Sequence, residues 1–339
     1  MVKDRYITLA HGNGGRFMRE LIEEVFARHL GNPALDVDLD AVGLDLPQDR
    51  VPVVSTDGFV VQPLEFPGGT IGSIAVNGSV NDLAVSGAVP AYLTLGAIIE
   101  EGLELEVLDR IVASMAEAAR QACVAVVAGD TKVVPRGQGG GLYLTVTGVG
   151  HRARDCRLSM SAIRDGDAVL VSGPVGDHAV AILLAREAFD LSGSVVSDCA
   201  PVIDLTLPLA THPSVRFMRD PTRGGLATVA HEIARATGFD LVLEQTAVPV
   251  ADPVRSVCEI LGYDPYYLAC EGRVVAVVAA EAADEVLAIW RNLPAGHGAC
   301  RIGSVSTGTG RTGRVILRTE IGGSRVLEEL EDDPLPRIC

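Results

Sequence analysis

The sequence has 339 residues, 48% of them hydrophobic, and this length predicts two domains with separate cores. A formal net charge of -16 and an aromatic content of 4% argue against nucleic-acid binding, because an acidic surface repels phosphate backbones and few rings are available to stack on bases. We see no apolar run of membrane-spanning length and no apolar signal segment near the start, so we expect a cytoplasmic protein without membrane contact.

The first half alternates strands and helices. A glycine-rich turn, HGNGG at 11–15, enters an amphipathic helix, and a Pro- and Asp-rich loop occupies residues 32–50. Periodicity then predicts helices at 71–88 and 103–123 and strands at 51–60, 92–98, 124–134 and 142–149. Because a glycine-rich segment separates the last two strands, they are predicted to pair as a hairpin.

The second half follows a charged stretch at 151–161, where we place the domain boundary. It is also mixed: strands are predicted at 167–172, 214–219, 239–244, 273–279 and 299–305, and helices at 176–188, 200–210, 224–237, 252–261 and 282–291. A final hairpin, 314–319 with 324–330, precedes a free end. The resulting division is 1–34, 35–151, 160–310 and 311–339, and both halves are predicted to be mixed α/β.

Acidic residues at the ends of apolar elements are the main chemical signal. No P-loop motif is present, and the G-x-G-x-x-G at 308–313 leads into a strand, which indicates a turn. A carboxylate in an apolar element is costly unless it is paired or bound to a metal, and Mg²⁺ prefers such oxygens together with phosphate. Singly each acidic residue fits a cap or turn, but four together favour a metal–phosphate site: Asp57, Asp82, Asp130 and Asp220.

Three further residues are candidates for chemistry. Lys132 is one of only two lysines, which favours a phosphate or substrate contact over a solvent-exposed strand edge. Glu271 leads into an apolar strand and is either a surface charge or a general base. Cys339 ends the Pro-containing tail PRIC, and an exposed thiol there is most simply a nucleophile on an arm, although many chain ends are merely disordered. The other six cysteines form no C-x-x-C pair and suit buried positions.

Six motifs in this order resemble the HypE family of hydrogenase maturation factors, relatives of aminoimidazole ribonucleotide synthetase, selenophosphate synthetase and thiamine-monophosphate kinase. They span nearly the whole chain: HGNGG (11–15), STDGFVVQP (55–63), GSIAVNGSVNDLAVSGAVP (72–90), AGDTKVV (128–134), DPTRGGLA (220–227) and PRIC (336–339). The resemblance implies a two-domain aminoimidazole ribonucleotide synthetase-like fold, with an α/β N-terminal domain, an α+β C-terminal domain and a flexible C-terminal tail. In that fold, residues 35–151 bind ATP and pair across a homodimer into a β-barrel.

The resemblance also implies a reaction. HypF delivers a carbamoyl group to Cys339, ATP and Mg²⁺ support its dehydration to a thiocyanate, and the cyano group passes to iron on a HypC–HypD complex for [NiFe]-hydrogenase. The base would be Glu271 or His11, with Lys132 balancing charge, and Asp57, Asp82, Asp130 and Asp220 would hold metal. The implied nucleotide-binding residues are Asp57, Asn81, Asp82, Asp130, Thr131, Asp220, Thr222, Arg223 and Gly224.

Two other functions stay open from the residues alone. A small-molecule kinase or synthetase of the same superfamily would bind ATP in the same way and carry an inert tail. A non-enzymatic scaffold would use Cys339 only to ligate a metal delivered by a partner.

Overall fold

The computed structural model describes residues 4–186, 193–308, 310 and 312–331. Cys339, the predicted nucleophile, and the rest of the predicted tail after Glu331 lie outside the described residues. The described part folds around two large β-sheets, one from each half of the chain, and its first half also contains a separate two-stranded sheet. Its helices include none long and apolar enough to cross a membrane.

The first half places a four-stranded sheet against two long helices. Its elements are α1 (Arg16–Leu21), a π-helical turn (Ile22–Ala27), α2 (Arg28–Leu30), β1 (Val51–Phe59), β2 (Glu65–Phe66), β3 (Gly69–Thr70), α3 (Ile71–Val85), β4 (Val89–Glu100), α4 (Leu105–Gln121), β5 (Ala125–Val134) and β6 (Leu142–Arg152). The strand order is β1-β6-β4-β5.

The predicted hairpin between β5 and β6 is wrong. β4 lies between them, parallel to β5 and antiparallel to β6. The reason is topological. Helix α4 is a crossover connection between β4 and β5, so β5 pairs with one edge of β4 in the parallel direction. Strand β6 then pairs with the opposite edge of β4 in the antiparallel direction. As a result β5 is an edge strand.

The second half contains a seven-stranded sheet of order β13-β12-β9-β11-β7-β10-β8. Its elements are β7 (Ala168–Val171), α5 (Asp177–Ala185), α6 (Ile203–Thr206), β8 (Val215–Arg219), α7 (Gly225–Thr237), β9 (Asp240–Glu244), α8 (Asp252–Leu261), β10 (Val275–Val278), α9 (Ala283–Arg291), β11 (Cys300–Ser306), β12 (Val315–Arg318) and β13 (Ser324–Val326). The predicted final hairpin is confirmed, because β12 and β13 pair antiparallel.

Helix α3 lies at the centre of the molecule and is buried on nearly every face. Its small and apolar side chains let it contact β1 and β6 on one side and α6 and β8 of the second half on the other. Thr70 caps its first turn by accepting the N–H groups of Gly72 and Ser73, at 3.0 and 3.2 Å. The helix therefore carries any polar side chain on it into the contact between the two halves.

The end of α4 carries a strained residue. Cys123 has φ +54 and is exposed. The N–H groups of Cys123 and Val124 bond the carbonyls of Arg120 and Ala119, at 3.2 and 2.9 Å, the pattern of a Schellman cap that favours glycine at the Cys123 position.

Replacing Cys123 with glycine is expected to stabilise the protein. Glycine adopts a positive φ without the steric penalty of a Cβ atom, so the net gain should be about 0.5–1 kcal/mol. Urea unfolding of Cys123→Gly against Cys123→Ala measures it, because alanine keeps the strain while removing the thiol. Equal stability of the two variants would contradict this account.

Candidate active site

Four carboxylates from distant parts of the chain line one pocket between the two halves. We call this the carboxylate pocket; it is lined by Asp57, Gly58, Phe59, Gly78, Asp82, Asp220, Thr222, Arg223 and Glu271. Three of the four predicted metal ligands therefore meet here, together with the predicted base. The sequence predicted these residues separately, and the fold brings them to one place.

Each element places its carboxylate for a local reason. Asp57 lies near the end of β1 on the face that α3 covers, where it accepts the N–H of Gly58 at 3.0 Å and lies 3.6 Å from an Arg223 nitrogen. Asp82 projects from α3, and the Ser55 hydroxyl donates to its Oδ2 at 2.6 Å. The neighbouring strand and helix thus hold both carboxylates over the same opening.

Glycine 78 leaves room on the α3 side of the pocket. A Cβ atom at this position would lie 2.9 Å from the Phe59 ring and 3.9 Å from Oε2 of Glu271. Any larger residue here would press on Phe59 and take space beside the Glu271 carboxylate. The glycine is therefore a steric requirement of the pocket.

Burial favours the neutral form of several pocket carboxyls. Glu271 is 3% exposed, and its burial, with the charges of Asp198, Asp220, Asp57 and Asp82, raises its pKa well above the usual value. Burial first, and then the charge of Asp82, raises the pKa of Asp220 to about 7. Desolvation likewise raises the pKa of Asp57. The pocket thus concentrates negative potential that a cation or a proton would relieve.

The carboxylates do not form a ready-made metal cage. Among the described residues, no group of three or more His, Cys, Asp or Glu side chains is placed to hold a metal ion. A Mg²⁺ ion that arrives with a nucleotide needs only one or two carboxylates plus phosphate oxygens. The hard-oxygen donors of the pocket fit that kind of site.

Asn81 was predicted to bind nucleotide, but in this structure its side chain bonds to the main chain of the second half. Its amide nitrogen donates to the carbonyls of Ala200 and Glu271, each at 3.1 Å, and its Oδ1 accepts the N–H of Val202 at 2.8 Å. These bonds use both amide hydrogens and the carbonyl oxygen, which leaves no free donor for a nucleotide. In this structure Asn81 ties α3 to two segments of the second half.

Asp130 and its neighbours lie apart from the pocket, so the prediction that all four aspartates converge is wrong within one chain. β5 and β1 are opposite edges of the sheet, about three strand spacings or 14 Å apart. Asp130 and Lys132 are exposed on the sheet face opposite α3, so the expectation that the Asp130 carboxylate lies in apolar surroundings is wrong. The hydroxyl of Thr131, between them, is buried without a hydrogen-bond partner.

His11 also lies on the β5 side of the sheet. It is fully buried, its Nδ1 accepts the Thr8 N–H at 3.1 Å, and its Nε2 has no hydrogen-bond partner. A Cβ atom at Gly12 would come within 2.8 Å of the Val133 side chain, so this loop packs directly on β5. Within one chain, Glu271 is therefore the predicted base that lies in the carboxylate pocket.

The second glycine turn borders the pocket. Gly224 caps α7 with φ +71, a left-handed conformation that glycine adopts freely. A Cβ atom there would lie 2.0 Å from the Thr228 hydroxyl. Thr222 and Arg223, just before it, line the pocket, so the N-terminal end of α7, with its positive dipole, lies beside the carboxylates.

The chain after β13 runs back toward this turn. Leu327 is fully buried, and its carbonyl lies 2.9 Å from the His231 ring nitrogen on α7. The Tyr267 hydroxyl donates to the Glu328 carbonyl, and a Leu330 methyl lies 3.5 Å from where a Cβ of Gly224 would be. The last described residues therefore reach the N-terminal end of α7, where the carboxylate pocket opens.

Sequence reasoning missed Asp198, whose side chain is 1% exposed and contacts the main chain of Glu271 and Gly272. It also missed Asn77, which donates to the Cys199 sulfur at 3.3 Å while its Oδ1 has no partner. Both contacts join residues more than 70 positions apart, so no local spacing signals them.

The sequence matches the AIR synthase related family in both halves, with the N-terminal domain over residues 38–151 and the C-terminal domain over residues 164–316. It is 47% identical to carbamoyl dehydratase HypE of Azotobacter vinelandii over 98% of this chain and 97% of the relative. The chain belongs to the HypE family. A solved structure of HypE in complex with ATP superposes on this chain with a TM-score of 0.92 and a sequence identity of 44%. The match covers 98% of this chain and 99% of that chain.

A second solved neighbour is the HypE of a HypE–HypF complex, with TM-score 0.79 and 40% identity over 91% of this chain and 99% of that chain. The predicted two-domain fold of the aminoimidazole ribonucleotide synthetase type is thus confirmed by the two family matches and by the HypE structures.

Proposed function

We propose that this protein is an ATP-dependent carbamoyl dehydratase that converts a carbamoyl group on Cys339 into a thiocyanate, which supplies the cyanide ligand of [NiFe]-hydrogenase. The observation that carries the proposal is the carboxylate pocket, in which a buried glutamate with a raised pKa lies beside three aspartates. Relatives 43–47% identical bear the name carbamoyl dehydratase HypE, which favours this function over a small-molecule kinase or a scaffold.

The tail is long enough to bring the thiol to the pocket. Eight residues follow Glu331, and an extended chain of that length reaches about 27 Å. It would start near Gly224, which neighbours the pocket residue Arg223. An inward position of Cys339 therefore needs no rearrangement of the described part of the chain.

ATP would bind with its phosphates toward the carboxylate pocket and the start of α7. A solved relative binds ATP, and the N-terminal end of α7 and the side chains of Thr222 and Arg223 suit phosphate oxygens. Asp57, Asp82 and Asp220 would hold Mg²⁺, which when bound neutralises charge on the transferring phosphoryl group.

Glu271 would take the first of the two amide protons that the dehydration removes. In the first step the carboxamide oxygen bonds to the γ-phosphorus, the bond to ADP breaks, and Glu271 accepts one proton from the amide nitrogen. In the second step the C–O bond breaks, the remaining N–H proton passes to the departing phosphate, and that phosphate carries the former carboxamide oxygen away. The products are S-cyanocysteine, ADP and phosphate. Burial suits Glu271 to this role because a carboxylate with a raised pKa is a stronger base.

A homodimer would give the β5 residues a role. The face of the first sheet opposite α3 exposes Val54 and Ile98, at 62% and 40%, and apolar side chains on an open sheet favour a partner. Lys132 and Asp130 lie on this same face. Through a second copy these two residues would approach a carboxylate pocket for charge balance and phosphate binding, and residues 35–151 would be the ATP-binding and dimerisation domain.

The protein partners follow from the chemistry of the tail. A solved HypE pairs with HypF, so HypF is the proposed carbamoyl donor to Cys339. A HypC–HypD complex that holds iron would accept the cyano group, and the whole exchange would take place in the cytoplasm.

The test is to compare two cysteine variants during incubation with HypF, carbamoyl phosphate and ATP. Intact-mass spectrometry should show an adduct on the wild type and no adduct on Cys339→Ser. The control is Cys123→Ser, which removes an exposed thiol and should still carry the adduct. Full ATP turnover by Cys339→Ser on a free small molecule would instead support the kinase alternative.

A further inference from the structure

The peptide that carries Glu271 belongs to no helix or strand, yet its main chain is held on several sides. The N–H of Cys270 donates to the Pro221 carbonyl at 3.0 Å, which ties the peptide to the loop before α7. The carbonyl of Glu271 accepts from Asn81 of α3 at 3.1 Å. The N–H groups of Glu271 and Gly272 need a partner from elsewhere, since buried donors are costly when unpaired.

Asp198 supplies that partner with both carboxylate oxygens. Its Oδ1 accepts the N–H of Glu271 at 3.1 Å, and its Oδ2 accepts the N–H of Gly272 at 3.3 Å. The Asp198 side chain is 1% exposed, so these bonds are shielded from water. A Cβ atom at Gly272 would lie 2.0 Å from the Asp198 carbonyl, so glycine permits the close approach.

Arg273 fixes the Asp198 carboxylate from its other side. Its Nε lies 3.5 Å from Oδ2 of Asp198 and donates to the Pro174 carbonyl at 2.8 Å. A second guanidinium nitrogen lies 3.6 Å from Asp177 at the start of α5. Arg273 thereby compensates the buried charge of Asp198. It also ties the Asp198 carboxylate to the second sheet and to α5.

We infer that Asp198 is a positioning residue for the dehydration: it sets the main-chain geometry from which the Glu271 side chain enters the carboxylate pocket. The inference rests on the proposed function of Glu271 as base. Hydrogen bonds from two consecutive N–H groups to one carboxylate fix both the position and the orientation of the main chain at Glu271. A single hydrogen bond would fix the position but leave the orientation free. Asp198 does not line the pocket itself; it contacts the main chain of Glu271 and acts through that residue.

Asp198→Asn tests the inference, because an amide oxygen accepts one N–H while the amide NH₂ faces the other. Displacing a catalytic group by about 1 Å is enough to lower a rate by up to 10²-fold, so we expect dehydration of S-carbamoylated protein to slow by about 10–100-fold. The ATP dissociation constant, measured by calorimetry, should stay within about threefold. The matched control is Asp177→Asn, which removes the other acidic partner of Arg273 without touching residues 271–272.

A double mutant separates positioning from a merely structural role. If Asp198 acts through Glu271, adding Asp198→Asn to Glu271→Gln should lower the residual rate by no more than about twofold, because residues that act as a unit are not additive. An additive loss, or a rate for Asp198→Asn equal to that of Asp177→Asn, would overturn the inference. If Asp198→Asn fails to fold, Asp198→Glu replaces it in the same rate measurements with the same expected results, because it keeps the charge but displaces both carboxylate oxygens.

The failure of the two proposals can be told apart. A normal dehydration rate in Glu271→Gln would remove Glu271 as the base and the positioning role with it. Loss of activity in Glu271→Gln together with a normal rate in Asp198→Asn would overturn the positioning role alone.

Discussion

Glu271→Gln is expected to accept the carbamoyl group on Cys339 and then stall, with a dehydration rate about 10²–10⁴-fold below that of the wild type. The reason is that glutamine fills the same space in the carboxylate pocket but cannot accept a proton from the carboxamide nitrogen. Transfer of the carbamoyl group from HypF does not use this base, so carbamoylated protein should accumulate. Quantifying carbamoyl and cyano adducts over time by mass spectrometry measures the effect.

The matched control is Glu281→Gln, which removes an exposed carboxylate ten residues away and should leave the rate unchanged. The pH profile adds a second check. Because the pKa of Glu271 is raised, the wild-type rate should increase with pH as this group loses its proton, and the Gln variant should lack that limb. Formation of the cyano adduct at the wild-type rate in Glu271→Gln would transfer the base role elsewhere, with His11, the other predicted base, as the next candidate.

Asp220→Asn is expected to be more stable than the wild type at pH 8 although it should bind Mg-ATP less well. The folded pKa of Asp220 is about 7, against an ordinary value of 3.8, so the folded state binds this proton more tightly than the unfolded state. Stability is therefore lost as pH rises from about 4 to 7, by up to about 4 kcal/mol for this group. Asparagine has no proton to lose and escapes that cost.

Urea unfolding of metal-free and nucleotide-free protein at pH 5 and pH 8 measures the difference. The advantage of Asp220→Asn should be clearly larger at pH 8 than at pH 5, and Asp204→Asn, an exposed carboxylate on α6, should show no such change. A pH-independent difference between Asp220→Asn and wild type would show that the burial of Asp220 carries no electrostatic cost.

Local patterns predicted the elements that build the pocket. The alternating side chains of β1 and the strongly amphipathic α4 appear where periodicity placed them, within a few residues. The acidic residues at element ends also indicated the chemistry, since Asp57, Asp82 and Asp220 do meet in the carboxylate pocket. Such features depend on residues close together in the chain.

The sequence could not predict which strands pair, or which side chains and main-chain groups form hydrogen bonds, when the residues are far apart in the chain. The order β1-β6-β4-β5 separates β5 from β6, and this put Asp130 on a different edge and face of the sheet from Asp57. Asn81 was predicted to bind nucleotide only through the family resemblance, and its hydrogen-bond partners come from residues 200–202 and 271 of the other half. Asp198 gave no signal because its function depends on main-chain N–H groups 73 and 74 residues away.

The central claim is that ATP removes the carboxamide oxygen as phosphate while the carbon stays on Cys339. The most direct measurement is to load the protein with a carbamoyl group labelled with a heavy oxygen isotope, add ATP, and analyse the phosphate and the C-terminal peptide by mass spectrometry. The account predicts one labelled oxygen in each released phosphate and an unlabelled thiocyanate on Cys339. Unlabelled phosphate together with an intact or hydrolysed carbamoyl adduct would contradict it.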